Sequence, residues 1–438
     1  MLSKRVSVLG LGKSGASAAN LAVKLKYRIF ASDTGKKRKI KNLLPSISTE
    51  FGGHSDKVLD TDIIIKSPGI CGDIAILKKA ALKKIPIISE LQFALNNSKY
   101  KEIIAVTGTN GKTTTTDLIS KIVKAQYKDS IVCGNIGFPL SDKALKTTKN
   151  TIISMELSSY QLEDTPDFHP HISVLLNITP DHLEHHKSMV NYIKAKKNIL
   201  KNQSKNDFAI INYENAICRK LSAKTKAKKI FFSKEPLKSG VYYDNGAFVF
   251  ALGARKPQIK PKINIVGAHN IENILASCAA CFCAGISLNA IEKVISGYKG
   301  VPHRIEFVKT IDGVNYYNDS KSTTVDSTRA ALNSFDNNII LILGGLDKGF
   351  SYAPIKKLIR QKVKALLLIG SAAKKIKKDL KGASAIYDCF NIKNALKKAR
   401  VLSKDGDIIL FSPACASFDQ FKNFEERGEV FKDLVRSL

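Results

Sequence analysis

Short apolar runs, each closed by a glycine- or hydroxyl-bearing turn and followed by an amphipathic stretch, recur along the chain and predict a succession of strand–helix units. Residues 6–9 form the first run, ahead of Gly10-Leu11-Gly12-Lys13-Ser14-Gly15 and a helical pattern over 16–25. A second strand over 27–31 leads to Asp33, and runs at 62–66 and 85–88 complete four short parallel strands ending near Ser89. A new set opens at 103–106, with its helical stretch starting at Thr115. The run 151–155 then ends in Glu156, and 172–178 ends in Thr179-Pro180-Asp181-His182. Gly297 and Gly300 close a helix that Pro302 stops from resuming, so the next change of domain falls near Val301-Pro302-His303-Arg304. Beyond it, strands over 339–343, 365–369 and 407–411 are each followed by a Gly or Ser/Pro turn and a helix. The pattern predicts an α/β protein of three domains: a Rossmann-like N-terminal domain over 1–90, a central P-loop-type ATPase domain over 91–300 and a Rossmann-like C-terminal domain over 301–438.

The turns carry the candidate chemistry. Gly108-Thr109-Asn110-Gly111-Lys112-Thr113-Thr114 lies between a strand and a helix, where backbone N–H groups and a helix N-terminus face one spot and suit a phosphate. Lys112 reaches terminal phosphates from there, and Thr113 places its hydroxyl on Mg2+, which makes a nucleoside triphosphate site. Val106 stands where the longer P-loop pattern has a glycine, so this is the shorter G-x-x-G-K-T form. Glu156, at the carboxyl end of a buried parallel strand, is placed as a Mg2+ ligand. His182 fits less simply, because imidazole suits softer metals, and His185 and His186 read as surface residues rather than as an extension of a metal cluster. The first turn has the G-x-G-x-x-G spacing, with Asp33 18 residues beyond Gly15. Read alone it points to NAD; physically it supplies a pyrophosphate seat. Gly344-Gly345-Leu346-Asp347-Lys348 offers a cation and Ser412-Pro413-Ala414-Cys415-Ala416-Ser417-Phe418 offers a hydroxyl and N–H groups. Together these suit a small dicarboxylate, or are ordinary surface turns.

Composition narrows the classes. With 438 residues, 44% hydrophobic and 25% charged, the chain is an ordinary globular one. A formal net charge of +32 raises nucleic acid as a partner, yet the lysines are spread over 36–39, 78–84, 374–378 and many single positions, with no recognition motif. No specific nucleic-acid role is expected, and the field instead speeds the arrival of anionic substrates. A strand beginning at Arg5 leaves no room for a signal peptide, and the longest uncharged apolar stretch, 274–288, is too short to span a bilayer comfortably. A cytoplasmic protein without membrane insertion, acting as a monomer, is expected. Cys278, Cys281 and Cys283 lack further ligands at zinc spacing and are read as core.

These motifs, with Glu156-Leu157-Ser158-Ser159-Tyr160-Gln161-Leu162, Asn177-Ile178-Thr179-Pro180-Asp181-His182, His269-Asn270, His303-Arg304 and Asn318-Asp319-Ser320-Lys321, resemble the Mur ligases over essentially the whole chain. These are the ATP-dependent amide-forming enzymes of peptidoglycan precursor synthesis. Within the family, residues 412–428 are similar to those of members that add D-glutamate, and the Asp-Asn-Pro-Arg motif of diaminopimelate-adding members does not occur.

The resemblance implies UDP-MurNAc-L-Ala and D-glutamate as substrates, and ATP with two Mg2+ ions. It turns the first glycine turn into a seat for a UDP pyrophosphate, with Lys13, Ser14, Asp33, Thr34 and Ser67 in contact and Asn135 nearer the sugar. Thr113, Glu156 and His182 match Mg2+ positions, and Lys196 matches a lysine that is carbamylated in the family, where an ordinary surface lysine beside Lys194 and Lys197 is the alternative. Lys112, Glu156, His182 and Lys196 are thereby the catalytic set. Gly108, Thr109, Asn110, Gly111, Thr113, Thr114, Asn270, Asn273, His303, Arg304, Asp319 and Lys321 match positions around the nucleotide. Thr323, Lys348, Ser417 and Phe424 match the D-glutamate pocket, while Phe418 stands where a leucine is familiar. Folate-polyglutamate synthetases share the ATP loop but not the first domain or the 417–428 segment. A nicotinamide dehydrogenase would rest on residues 10–33 alone, and a nucleic-acid binder on charge alone.

Overall fold

The computed structural model describes residues 4–438, which form two compact units: the described residues up to Pro261 with Glu272–Ile295, and Lys262–Ile271 with Ser296–Leu438. The first unit holds two sheets. In the first sheet, β1 (Arg5–Leu9), β2 (Arg28–Asp33), β3 (Ser48–Phe51), β4 (Ile63–Lys66) and β5 (Ile87–Ser89) run parallel in the order β3-β2-β1-β4-β5. There are five strands rather than the expected four, because β3 is a polar edge strand, Ser48-Thr49-Glu50-Phe51, with no apolar run to announce it. The first helix starts at Lys13, three residues ahead of the expected 16, because Gly12 in extended conformation caps it. Gly10, at φ +82°, makes the turn, and a Cβ on Gly15 would lie 1.8 Å from the Gly10 carbonyl oxygen. Glycine is required at both places by backbone approach.

The second sheet has nine strands: β6 (Glu102–Thr107), β7 (Ser130–Gly134), β8 (Ile152–Glu156), β9 (Ile172–Leu175), β10 (Phe208–Asn212), β11 (Lys228–Ser233), β12 (Gly240–Asp244), β13 (Ala247–Ala251) and β14 (Gln258–Ile259). Their order is β14-β13-β12-β11-β10-β9-β6-β8-β7, parallel except for the pairs β12–β13 and β13–β14. β6 sits between β9 and β8, so the chain order reverses there, where an open parallel sheet makes a crevice at its carboxyl edge. β9 ends at Leu175, short of the expected 178, because the chain beyond leaves the ladder to line the loop after β6: the Asn177 carbonyl accepts from the Thr109 amide at 2.8 Å. One apolar cluster runs through both sheets' helices, from Val6 and Ala18 through Leu91 and Phe93 to Ile103 and Ile153. Lys66, 2% exposed at its side chain, adds a polar tie across the same boundary through an ion pair to Asp164 at 2.6 Å.

The second unit is a six-stranded sheet of β15 (Glu306–Ile311), β16 (Val314–Asn318), β17 (Ile339–Gly344), β18 (Val363–Ile369), β19 (Ala385–Phe390) and β20 (Ile408–Phe411), ordered β15-β16-β20-β17-β18-β19. Only the β15–β16 hairpin is antiparallel. The central strands β17, β18 and β20 are buried on both faces and read as continuous apolar runs, as parallel strands do. Cys278 and Cys281 are fully buried, and burial pushes both thiols up, as core cysteines behave. Among the described residues no helix is long and apolar enough to cross a membrane.

Glu90, first residue of the helix Glu90–Asn96, is buried among these elements and accepts from the amide and hydroxyl of Ser141. Burial raises its pKa from 4.5 to about 7, against the lowering effect of the Ser141 hydrogen bonds. The folded chain therefore keeps this proton up to about pH 7 while the unfolded chain releases it near 4.5, so stability falls as pH rises through that window. Glu90→Gln is expected to flatten the pH dependence of unfolding free energy between those two values and to raise stability above it. Urea titrations at a series of pH values measure this, and an unaltered slope would count against it.

Candidate active site

Strand β6 delivers the chain into 108–111, and the helix Lys112–Gln126 leaves it with no acidic side chain in its first turn. Gly111 caps the helix at φ +84°, and a Cβ there would lie 2.2 Å from Asn273 Oδ1. At Gly108 a Cβ would meet Leu176 Cβ at 2.9 Å. Both glycines are thus needed for close approach, and the loop is held from outside. Asn110 N–H donates to Asn177 Oδ1 at 2.8 Å, and Thr109 Oγ1 lies 2.9 Å from the Tyr192 hydroxyl. The helix starts at Lys112 rather than at the expected Thr115, so Thr113 and Thr114 belong to its first turn, where backbone N–H groups have no partners within the helix. This is a cradle for an anion.

Two amines converge on this cradle. Lys112 Nζ folds back onto the carbonyl oxygens of Gly108 (2.9 Å) and Thr109 (2.8 Å). Lys196, from the helix Met189–Lys197, reaches the same Gly108 oxygen at 2.8 Å and is 1% exposed. It is no surface lysine. Burial and then the neighbouring Lys112 charge drive its pKa well below the usual lysine value. Glu156 closes β8 with its carboxylate buried: Oε1 accepts from Asn135 Nδ2 at 2.8 Å, and Oε2 has no hydrogen-bond partner. An enclosed carboxylate oxygen without a donor, beside a phosphate cradle, suits a hard divalent cation such as Mg2+. Asn135 thus has one amide donor committed to Glu156. His182 heads the short helix Leu183–His186 at φ +51°, half-exposed, 3.4 Å from Asp181 Oδ2 and with its ring 5.1 Å from that of Tyr160. His185 and His186 depart from expectation: His186 is buried and His185 nearly so, both against Glu163. The carboxylate that draws them inward comes from a separate helix, Ser159–Glu163.

In the first sheet a cavity of about 510 Å3 is lined by Gly10, Asp33, Thr34, His54, Ile70 and Cys71 among others. Asp33 spends both oxygens on the loop, accepting from Leu11 N–H at 2.7 Å and Gly35 N–H at 2.8 Å. Burial alone would raise its pKa; these two amides and Arg38 outweigh that and hold it low. Ser67 donates to the Gly10 carbonyl at 2.9 Å, and Lys13 to the Gly137 carbonyl at 2.6 Å. Ser14 is half-buried in the first helical turn and Thr34 is exposed at the rim.

The second unit gathers its own set at the carboxyl edge of its sheet. Asp319, 2% exposed, accepts from Ser412 Oγ at 2.7 Å, from Ser322 Oγ and from the Ile305 amide. Burial raises its pKa to about 6. His303 is buried at φ +63°, 3.0 Å from Asn318 Nδ2, and a Cβ on Gly428 would meet its ring at 2.1 Å. Lys321 donates its amide to the His303 carbonyl and carries its ammonium 5.9 Å from the Phe424 ring centre. Asn270 is buried and donates to the Val266 carbonyl, Arg304 and Lys348 are exposed, Thr323 is half-buried, and Ser417 is buried in the 412–418 turn. In the first unit, Asn273 Oδ1 accepts from Thr115 at 3.3 Å. A residue missed in the sequence is Arg427, 1% exposed, which donates to the carbonyls of Cys415, Ala416 and Ser320 and to Ser320 Oγ. It ties the 318–321 turn to the 412–418 turn. Its signal was a charged residue on the apolar side of an amphipathic helix, Phe424–Arg436.

Comparison with known proteins adds the following. Three family models match: "Mur ligase MurD-like, N-terminal domain" over residues 4–89, "Mur ligase middle domain" over 106–281, and "Mur ligase, glutamate ligase domain" over 303–415. The UDP-N-acetylmuramoylalanine–D-glutamate ligase of Elusimicrobium minutum is 43% identical over 99% of this chain and 98% of its own. The enzyme of the same name from Caldicellulosiruptor saccharolyticus is 40% identical over 100% of both chains. Among solved structures, UDP-N-acetylmuramate-alanine ligase from Thermotoga maritima is similar at a TM-score of 0.61, 20% identical, covering 99% of each chain, which speaks for the fold.

Gly111→Ala is expected to weaken nucleotide binding about tenfold or more, since a left-handed non-glycine residue costs about 1–2 kcal/mol and the added methyl collides with Asn273. Titration calorimetry with a non-hydrolysable ATP analogue checks this, with the melting temperature as control for folding. Affinity equal to that of the parent would rule out the close approach.

Proposed function

The chain belongs to the Mur ligase family, and from that membership we propose that it joins D-glutamate to UDP-N-acetylmuramoyl-L-alanine at the expense of ATP, giving UDP-MurNAc-L-Ala-D-Glu, ADP and phosphate. The observation that carries this reading is likeness over the full length to relatives named for that reaction. It is supported by a phosphate cradle of the right form at 108–113.

A carboxylate does not react with an amine in water, because its oxygen is a poor leaving group. Phosphorylation of the L-alanyl carboxylate by ATP gives an acyl phosphate; the amine of D-glutamate attacks its carbon, and the tetrahedral intermediate expels phosphate. The protein's part is to bring anions together and offset the charge that develops on the transferred phosphoryl group. The backbone of Gly108, Thr109, Asn110 and Gly111 and the first helical turn with Thr113 and Thr114 would hold the phosphates. Lys112, now folded onto loop carbonyls, would turn to them. Mg2+, bound by Thr113, Glu156 and His182, would supply Lewis acidity to the phosphoryl oxygens. The unpaired Glu156 Oε2 fits that role.

Lys196 would serve as a carbamate. Its buried amine is held toward the neutral form, whose lone pair can attack the carbon of CO2 and release a proton. That exchange replaces a neutral amine beside Lys112 with an anion able to support a second Mg2+. Around the nucleotide this reading places Asn270, Asn273, His303, Arg304, Asp319 and Lys321; for D-glutamate it uses Thr323, Lys348, Ser417 and Phe424. The first-sheet cavity, lined by Asp33 and Thr34, would take the UDP end, with Lys13, Ser14 and Ser67 as further contacts and Asn135 toward the sugar. The protein would work as a cytoplasmic monomer without membrane insertion or a specific nucleic-acid partner, its dispersed lysines steering anionic substrates inward.

Purified protein with ATP, Mg2+ and UDP-MurNAc-L-Ala, offered D-Glu, L-Glu, L-Lys or diaminopimelate in turn, should release phosphate with D-Glu; turnover with another amine and none with D-Glu would sink the assignment. Lys112→Ala should lower kcat roughly 100- to 1,000-fold while the UDP substrate still binds. Labelled bicarbonate should give a carbamate carbon resonance by NMR that disappears in Lys196→Arg; a spectrum without that signal would remove the modification from the mechanism.

A further inference from the structure

The short helix that His182 heads carries two members of a cluster that the ligase reaction does not employ. Glu163 stands between two imidazoles: His185 Nε2 is 3.0 Å from Oε2, and His186 Nδ1 is 3.0 Å from Oε1. One ligand atom from each of the three side chains lies within 4.8 Å of the others. The second nitrogen of each ring is already engaged. His186 Nε2 is 2.9 Å from Ser159 Oγ, and His185 Nδ1 is 3.5 Å from Cys71 Sγ. When Ser159 and Cys71 accept those ring protons, both imidazoles turn their lone pairs toward the Glu163 carboxylate. Lone pairs then face an anion, which is repulsive unless a cation lies among them. His186 sharpens the point: the residue is 3% exposed, and its Nδ1 is buried with no hydrogen bond of acceptable geometry despite the nearby carboxylate. Tyr160, with its ring centre 4.3 Å from that of His185 and 5.5 Å from that of His186, walls the cluster, while Glu163 keeps a 30% exposed side chain and so an entry path.

We propose that Glu163, His185 and His186 form a binding site for a borderline divalent cation, Zn2+, separate from the metals that accompany the nucleotide. Two imidazoles and one carboxylate are a donor set that zinc takes with tetrahedral geometry, leaving a fourth position open to water. Bonds of about 2.0–2.1 Å in that geometry put ligand atoms roughly 3.3 Å apart; each ring nitrogen is 3.0 Å from one oxygen of the carboxylate, and one atom from each of the three side chains lies within 4.8 Å of the others. Mg2+ prefers an all-oxygen shell and does not compete well for this set. Ser159 and Cys71 act as the outer partners that fix each ring's tautomer, as in other histidine-ligated sites. Occupancy would hold the segment 182–187, which His182 and Lys187 enter and leave in left-handed conformation.

The test uses the full chain, stripped of metal and titrated with Zn2+ by calorimetry in excess Mg2+, with Co2+ as a spectroscopic stand-in. The expected result is one equivalent bound and the intense visible absorption of four-coordinate Co2+. Glu163→Gln and His185→Gln should each weaken binding by roughly 10- to 100-fold or more, while Glu156→Gln leaves it unchanged. His186 is left intact because it is buried, and melting curves establish that the two variants fold. Absence of Zn2+ binding, binding undiminished in both variants, or binding lost in Glu156→Gln would each overturn the proposal. Because the readout is metal bound rather than product formed, it stands or falls apart from the ligase assignment.

Discussion

The carbonyl oxygen of Gly108 receives two lysine side chains from different elements, Lys112 at 2.9 Å and Lys196 at 2.8 Å. Two amines at one peptide oxygen in a buried place repel each other, and the arrangement persists because β6, which delivers the loop, and the helix Met189–Lys197 are packed into one apolar core through Ile103, Ala105 and Tyr192. The reversal of strand order at β6 puts the crevice there, Gly108 and Gly111 let backbone come close, and Asn177 and Tyr192 fix the loop from outside. Bound anions would offset that repulsion, and anions are what a ligase that activates a carboxylate with a triphosphate must assemble.

Asp319 poses the complementary problem in the second unit. A carboxyl group 2% exposed, with a pKa of about 6, is kept usable by three donors: Ser322, Ser412 and the Ile305 amide. The turn that carries Asp319 and the turn that begins at Ser412 are spanned by Arg427, whose guanidinium is itself buried and bonded to main-chain carbonyls. Burial lowers the Arg427 pKa to about 10, which still leaves it charged at neutral pH. Polar groups this deep hold their turns in one arrangement, since each lost partner would leave a charge or dipole unpaired.

How much of this could be read from the chain depends on how local each feature is. The strand–glycine turn–helix at 102–126 is legible because strand, glycines, lysine and helix are contiguous, and the central strands are legible because burial on both faces leaves unbroken apolar runs. The edge strand β3 is not, since Ser48-Thr49-Glu50-Phe51 carries neither a run nor a clean alternation. Lys196 sits among Lys194 and Lys197, and only the tertiary fold distinguishes the one that points inward. His185 and His186 look solvent-facing until Glu163, carried on a different helix, is brought against them. The early end of β9 follows from Asn177 being needed at the loop, a long-range demand that an apolar run cannot reveal.

The apolar cluster that passes through both sheets of the first unit bears on how such proteins can be recombined. Leu91 and Phe93 belong to a helix beyond the last strand of the first sheet, yet they share a core with Val6 and Ala18 on one side and Ile103 and Ile153 on the other. A chimaera cut at residue 89 would therefore sever a folding unit, not join two modules. Exchanging the first sheet among relatives would need the helix Glu90–Asn96 and its contacts around residues 140–144 to travel with it, which makes that stretch the natural limit of modularity in this chain.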